Sequence, residues 1–282
     1  MNKLMLIDFN GIAIGSLMAV TKSQKDVNED LIRHLILNTI IGYKKKFKAD
    51  EVVICADARS WRREAFPHYK ASRQKTREAS PYDWGEVYKI FNLILDEIND
   101  NLPWKVIYVK GAEADDIIGF ITLKYARHQP ITIVSADKDF IQLHSAGDVK
   151  QWSPIIKKFI SHKDPVAYLK EHIIRGDSGD GIPNILSSDD TFVTSKRQTP
   201  MKKIYIEAWL EMKPEDFLTT SEMADRWMLN KNMIDLTCTP DDIKNEIDDK
   251  YSNYSGTTHR MKIFNYFTKK KLRNLIGDVA SV

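Results

Sequence analysis

Two cysteines in 282 residues, Cys55 and Cys238, are too few for a disulfide framework and too far apart for a metal-binding knuckle. A reducing cytoplasm is the expected compartment. No apolar run approaches the roughly 20 residues that a membrane-spanning helix needs, so no membrane partner is expected. The apolar N-terminus is not read as a signal peptide. Asp8 interrupts its first apolar stretch, and Asn10 and Gly11 follow directly, which reads as a buried strand and a turn. With a strand starting so early, little N-terminal tail is expected for tethering a partner. Internal repeats and low-complexity tracts are missing too. Net charge is only +3 and names no partner.

What is present is ordinary in amount and unusual in distribution. Hydrophobic residues make up 43% and charged residues 29%, a soluble globular composition for one large domain or two smaller ones. Ala58 to Glu78 carries seven Lys/Arg against two Glu, and Thr257 to Gly277 carries six Lys/Arg and no acid. Aspartates cluster elsewhere. Segregation of this kind suits a chain that grips a polyanion and holds cations, although a single basic run is as readily a solvated helix face.

Four short β-branched runs read as buried parallel strands: Leu4–Ile7, Val52–Cys55, Val106–Val109 and Ile131–Val134. Leu31–Tyr43, Trp84–Ile98 and Glu113–Tyr125 carry apolar residues at helical spacing. The alternation predicts an α/β fold with a mostly parallel sheet and right-handed crossovers. Val149–Ser153 and Lys158–Ser161 suggest an edge hairpin. Past residue 164 the strand signal ends: a helix is expected over Pro165–Arg175, then a Gly-rich turn to Pro183, a mobile polar loop over Ser187–Pro200, and helices broken near Pro214, Pro240 and Ser252–Thr258. The expected division is a catalytic domain over 1–164 and a smaller helical domain over 165–282.

The acids are informative through their positions. Asp8 ends the first strand and Asp57 the second; Glu113, Asp115 and Asp116 open the helix after the third; Asp137 and Asp139 follow the fourth. The carboxyl ends of strands in an open α/β sheet share one rim, and ligands bind there. Two carboxylates about 4 Å apart repel by roughly 4 kcal/mol at an effective dielectric near 20. Singly, each acid has a plain reading: a helix first turn for Asp115 and Asp116, a turn for Asp8, an Asx-turn for Asp137. Placement at four successive strand ends favours a divalent-cation site, and an all-oxygen donor set favours Mg²⁺ or Mn²⁺ over Zn²⁺.

Five segments carry a resemblance: Leu6-Ile7-Asp8, Cys55-Ala56-Asp57, Glu113-Ala114-Asp115-Asp116, Ser135-Ala136-Asp137-Lys138-Asp139-Phe140 and Gly176-Asp177-Ser178-Gly179-Asp180. In this order they resemble the acidic motifs of the 5′-nuclease family, which includes flap endonucleases. Trp61-Arg62-Arg63, Tyr69-Lys70, Tyr82-Asp83-Trp84 and Lys150-Gln151-Trp152-Ser153-Pro154 resemble most the ribonucleases H of T-even-like bacteriophages. The resemblance spans nearly the whole chain and implies a PIN-like fold with two Mg²⁺ ions about 4 Å apart, Mn²⁺ substituting. It implies that Asp8, Asp57, Glu113 and Asp115 serve one ion and Asp177 and Asp180 the other. Asp137 and Asp139 lie between, and Asp116 assists either.

By the same resemblance, Lys70 and Arg73 stabilise the scissile phosphate and Tyr69 stacks on the terminal base. Arg62 and Arg63 line an arch over about residues 58–85, of which the basic stretch Arg59 to Arg77 is expected to stand off the domain. Trp61, Phe66 and Trp84 are as readily core residues. A helix-two-turn-helix is implied over Val166–Thr194, with amides of Gly179, Gly181 and Ile182 on duplex phosphates. Ser187-Ser188-Asp189-Asp190-Thr191 departs from the family's usual Gly-x-Gly and Lys-Thr-Ala pattern, which weakens the case for a potassium site.

The implied activity is 5′-3′ exonuclease or flap cleavage of RNA–DNA hybrids and branched or nicked duplex DNA, for primer removal in phage replication in the host cytoplasm. A monomer is expected, with a single-strand-binding protein and a sliding clamp as candidate partners. A PIN-type single-strand ribonuclease and a non-catalytic DNA-binding accessory are the alternatives. A haloacid-dehalogenase-type phosphatase would need its aspartate pair after the first strand.

Overall fold

The computed structural model describes residues 2–21, 27–254 and 259–282. Six strands, β1 Leu4–Asp8, β2 Glu51–Ala56, β3 Lys105–Tyr108, β4 Ile131–Val134, β5 Val149–Ser153 and β6 Lys158–Ile160, form one sheet in the order β3-β2-β1-β4-β5-β6. The first five run parallel, and β6 returns antiparallel to β5. Successive side chains of a strand face opposite ways. Met5, Ile7, Val52 and Ile54 therefore enter one core, and Leu4, Leu6, Val53 and Cys55 the other. Each fully buried aliphatic side chain contributes about 1.5–3 kcal/mol, so a charge at Ile7 or Ile54 would break the sheet centre.

Helices α1 Phe9–Thr21, α2 Glu29–Phe47, α3 Arg62–Ala65, α4 Ser72–Glu78, α5 Trp84–Asn101 and α6 Ala114–Tyr125 lie between the strands. Their starts follow from local chemistry. Asn28 caps α2 through Leu31 N at 2.9 Å, and Asp83 caps α5 through Gly85 N at 2.9 Å. The expected turn at Asn10-Gly11 is the first turn of α1 instead, because the Asp8 carboxylate accepts from Gly11 N at 3.1 Å and starts a helix there. Residues of α1, α2 and α5 pack on one face of the sheet, and α6 packs on the other.

Beyond the hairpin come α7 Pro165–Arg175, α8 Lys203–Glu211, α9 Pro214–Phe217, α10 Ser221–Ile234, α11 Asp241–Ser252 and α12 Arg260–Lys269. This helical region supplies residues to every core. Ile263, Phe267 and Leu275 join the first, Leu236, Ile243 and Ile247 the second, and a third gathers Ile173, Ile185, Trp227 and Ile234 with Phe66 and Tyr69. A buried Arg33 binds Glu97, which also takes Tyr266 Oη at 2.9 Å and Lys270, so α2, α5 and α12 are tied by one ionic network. The expected break near Ser252–Thr258 falls partly on residues 255–258, outside the described residues.

Three expectations are corrected. The stretch over 58–85 does not stand off as a whole: Ser60, Arg62, Phe66, Tyr69 and Lys70 are buried, because Phe66 and Tyr69 close the third core and the two cations meet acids there. The second helix of a helix-two-turn-helix is not formed, since no α-helix lies between Arg175 and Lys203. Ser187–Pro200, expected to be mobile, is a largely exposed loop tied down at a few points: Ser187 and Thr191 are buried, Asn184 N donates to Gln198 at 2.7 Å, and Thr199 N donates to Ser187 Oγ at 2.8 Å. Its own polar side chains supply those ties, which composition alone does not reveal.

Candidate active site

The parallel strands deliver their carboxyl ends to one rim, and the acids follow. Asp8 accepts from Ser135 Oγ at 2.7 Å. A side chain at Gly11 would sit 3.0 Å from the Asp8 carboxylate, so glycine is what lets α1 start this close. Asp57, one residue past β2, accepts from Ala114 N at 2.6 Å and Asn10 Nδ2 at 2.5 Å. Asp137 accepts from Asp139 N at 3.0 Å, and Gln151 holds the same loop by donating to Asp137 O at 2.5 Å. Asp177 accepts from Gly179 N at 2.7 Å within a tight loop that follows Gly176, a left-handed residue at φ 66°.

A central cleft of about 250 Å³ is lined by Asp8, Asp57, Glu113, Asp115, Asp137, Asp139, Asp177 and Asp180, with Lys70, Arg73, Arg77 and Tyr88. Eight of the nine acids singled out in the sequence meet there. On one flank it continues into a basic cleft of about 390 Å³ holding Arg59, Arg63, Lys70, Arg73 and Arg77. On the other it opens into one of about 640 Å³ walled by Pro154, Ile155, Tyr168 and His172.

The acids divide by compensation. Burial would raise Glu113, but Lys70 Nζ at 2.6 Å, Tyr69 Oη at 2.7 Å and Arg62 outweigh it and hold its carboxyl below the ordinary range. Asp180 takes Arg73 and lies 3.5 Å from Lys70, although burial still holds its carboxyl above the ordinary range. Asp8, Asp115 and Asp139 have no such partners. Burial and then the charge of Asp57 push Asp8 up to about 6. Burial and then Asp137 drive Asp115 and Asp139 well above the usual carboxylate range. Cleft oxygen donors that repel one another, with one buried imidazole nitrogen, His172 Nδ1, left without a hydrogen-bond partner among them, fit a divalent-cation site.

Six expected roles meet a different placement. Asp116 is 0% exposed and faces away from the cleft. It takes Arg62 at 2.9 Å, Thr239 Oγ1 at 2.8 Å and Glu113 N at 2.9 Å in a capping box, so it builds the helix start and does not assist an ion. Arg62 is 2% exposed, spent on Asp116 and on Met233 O at 2.7 Å, and lines no arch. Tyr69 is equally buried, its hydroxyl 2.7 Å from Glu113 and 3.0 Å from Asp180, leaving no face for a base. Gly179 N donates to Asp177, Gly181 N to Ser178 O at 3.4 Å and Ile182 N to Asp177 O at 2.7 Å. Those three amides close their own loop. Arg63 is exposed in the basic cleft, and Lys70 and Arg73 reach the acids.

Sequence reasoning missed Ser135, Asn10 and His172. Ser135 sits inside a quoted motif and Asn10 beside Asp8, so adjacency was the available signal. His172 offered none, because only the fold of α7 brings it 3.4 Å from Asp139 and 3.8 Å from Asp177.

Residues 3–173 match the family described as 5′-3′ exonuclease, N-terminal resolvase-like domain, and residues 165–282 match the one described as T4 RNase H, C terminal. The chain is 33% identical to ribonuclease H of Enterobacteria phage T4 over 97% of its own length and 94% of that protein. It is 33% identical to flap endonuclease Xni of Shewanella oneidensis over 48% of this chain and 51% of that one. A crystal structure of the T5 D15 protein with metal ions shares the fold, with a TM-score of 0.63 at 16% identity, over 89% of this chain and 99% of that chain. With the acidic rim built at the strand ends and both halves matched along their length, the chain belongs to the 5′-3′ exonuclease family, a family of metal-dependent nucleases.

Proposed function

We propose that this metal-dependent 5′-3′ exonuclease/flap endonuclease works with two divalent ions, Mg²⁺ or Mn²⁺, and cuts where a 5′ single strand, RNA or DNA, meets duplex. The observation that carries the reading is the set of half-buried carboxylates of Asp8, Asp115 and Asp139, without a close Lys or Arg, at the floor of a groove whose adjoining flank is basic. Asp8, Asp57, Glu113 and Asp115 would hold one ion and Asp177 and Asp180 the other, with Asp137 and Asp139 between. Bound there, the ions lower the pKa of the attacking water and stabilise charge on the phosphate oxygens.

The protein's own groups do the positioning. Lys70 and Arg73, held at the rim by Glu113 and Asp180, present positive charge where the scissile phosphate gains negative charge. Arg59, Arg63 and Arg77 draw the single strand along the basic flank by its phosphates. Relatives named ribonuclease H and flap endonuclease support RNA–DNA hybrid and branched or nicked DNA as substrates. The reading extends to removal of RNA primers during phage replication in the host cytoplasm. There the chain would act as a monomer beside a single-strand-binding protein and a sliding clamp. The test is cleavage of a 5′-labelled flap, a nicked duplex and an RNA–DNA hybrid, with and without Mg²⁺. Short 5′ products that need Mg²⁺ are expected; equal cutting of 3′ and 5′ flaps, or cutting in chelator, would overturn the reading.

A further inference from the structure

The wide cleft on the hairpin side holds a donor that the all-oxygen reading leaves out. Helix α7 is fixed at its start by Asp164, which accepts from Ala167 N at 2.9 Å, and by Pro165. It turns Tyr168 and His172, one helical turn apart, into that cleft, the two rings 6.0 Å centre to centre. His172 Nδ1 is buried and has no hydrogen-bond partner, although Asp139 Oδ1 is 3.4 Å away; Nε2 lies 3.8 Å from Asp177 Oδ2. A buried polar atom normally finds a partner, and an orphan beside two carboxylates asks what else it faces. One donor atom each from Asp139, His172 and Asp177 lie within 4.8 Å of one another. Donors about 2.1 Å from a common ion lie at most about 4.2 Å apart, so closure needs shifts of well under 1 Å.

We propose that His172 is a nitrogen ligand of the divalent ion held by Asp139 and Asp177, so that this position prefers Mn²⁺, Co²⁺ or Zn²⁺ over Mg²⁺. The inference rests on the two-ion reading above and adds to it an inequality. The position served by Asp8, Asp57, Glu113 and Asp115 offers oxygen alone, the donor Mg²⁺ favours. The position beside α7 adds an imidazole, which suits the later first-row ions. Replacing a hard cation by Mn²⁺ therefore changes the two positions unequally.

The test uses the full chain without nucleic acid. Mn²⁺ and Mg²⁺ are titrated by calorimetry, and Mn²⁺-loaded protein is read by pulsed electron paramagnetic resonance for nitrogen coupling. Wild type should show a directly bonded imidazole nitrogen, and labelling with ¹⁵N-histidine should change that signal. His172 is the histidine lining the acid clefts among the described residues, so this arm needs no variant. His172→Gln should abolish the coupling, weaken one class of Mn²⁺ site by roughly tenfold or more, and weaken Mg²⁺ by less than about threefold. Two bound Mn²⁺ without nitrogen coupling, coupling that survives in His172→Gln, or equal loss of both metals would overturn the proposal and leave the two-ion centre standing. Undiminished Mn²⁺ binding in Asp139→Asn would instead remove the metal centre from these acids and His172 with it.

Discussion

Asp115 and Asp116 are neighbours in the first turn of one helix and have opposite surroundings. Asp116 points into the protein and meets Arg62, Thr239 and a backbone amide. Asp115 points into the cleft, where the charges of Asp137, Asp8 and Asp57 raise it and that of Lys70 opposes them. Compensation varies along the rim as well. Glu113 is matched by Lys70, Tyr69 and Arg62, Asp180 meets Arg73 and Lys70 but burial still raises it, and Asp8 and Asp139 have no close Lys or Arg. Helix position alone does not separate the architectural Asp116 from its neighbour Asp115; the buried Arg62 guanidinium against one and the open cleft before the other do. A paired acid has its charge satisfied, and an unpaired buried one stores repulsion that a divalent ion relieves.

That contrast is open to attack at several strengths. Asp139→Asn should lower the single-turnover cleavage rate by about a thousandfold or more, the upper range for losing a group aimed at the reacting charge; a quenched-flow assay with saturating enzyme measures it. Asp116→Asn should act on the fold instead, costing about 3 kcal/mol because Arg62 keeps its buried charge and loses its closest partner, as read from urea unfolding. Lys70→Met removes the charge and keeps the volume. It should slow the bound-state rate by about a hundredfold and change DNA affinity far less, and comparison of rate with binding isotherm shows which is lost.

The pH dependence of the metal-free protein sharpens the same point. Asp8 rises on folding from 3.8 to about 6, so its contribution to stability is full below pH 3.8 and is lost as pH passes through about 6. Asp115 and Asp139 are raised as well and add to the trend in the same direction. The melting midpoint in chelator should therefore fall, by about 5 °C, between pH 5 and pH 7.5, and Mg²⁺ should restore it. The smallest effect belongs to the basic flank: Arg63→Ala should weaken single-strand binding roughly threefold and reduce the slope of affinity against salt by about one.

Much of this architecture was legible because it is periodic. Short apolar runs gave the four strands to within a residue or two, and acids at their ends gave the rim, since a parallel sheet leaves few other places for them. What the sequence could not show is direction about a helix axis or a loop. Arg62 and Arg63 are adjacent, yet one is buried on Asp116 and the other faces the basic cleft. The resemblance implies a stacking platform at Tyr69, but two carboxylates claim its hydroxyl and a core claims its ring. The resemblance sets the amides of Gly179, Gly181 and Ile182 on duplex phosphates, whereas Asp177 and Ser178 take them. His172 depended on where α7 points. These are properties of pairing in three dimensions, which spacing along the chain does not encode.

The most direct measurement places Asp139→Asn beside Asp116→Asn in urea unfolding at pH 7.5 without divalent metal, with flap cleavage in Mg²⁺ recorded for both. The account predicts opposite signs. Asp139→Asn should be as stable as the unsubstituted chain or more so and inactive, because it removes an uncompensated charge. Asp116→Asn should be less stable by about 3 kcal/mol and should still cleave where it is folded. Equal destabilisation by both substitutions, or full cleavage by Asp139→Asn, would contradict it.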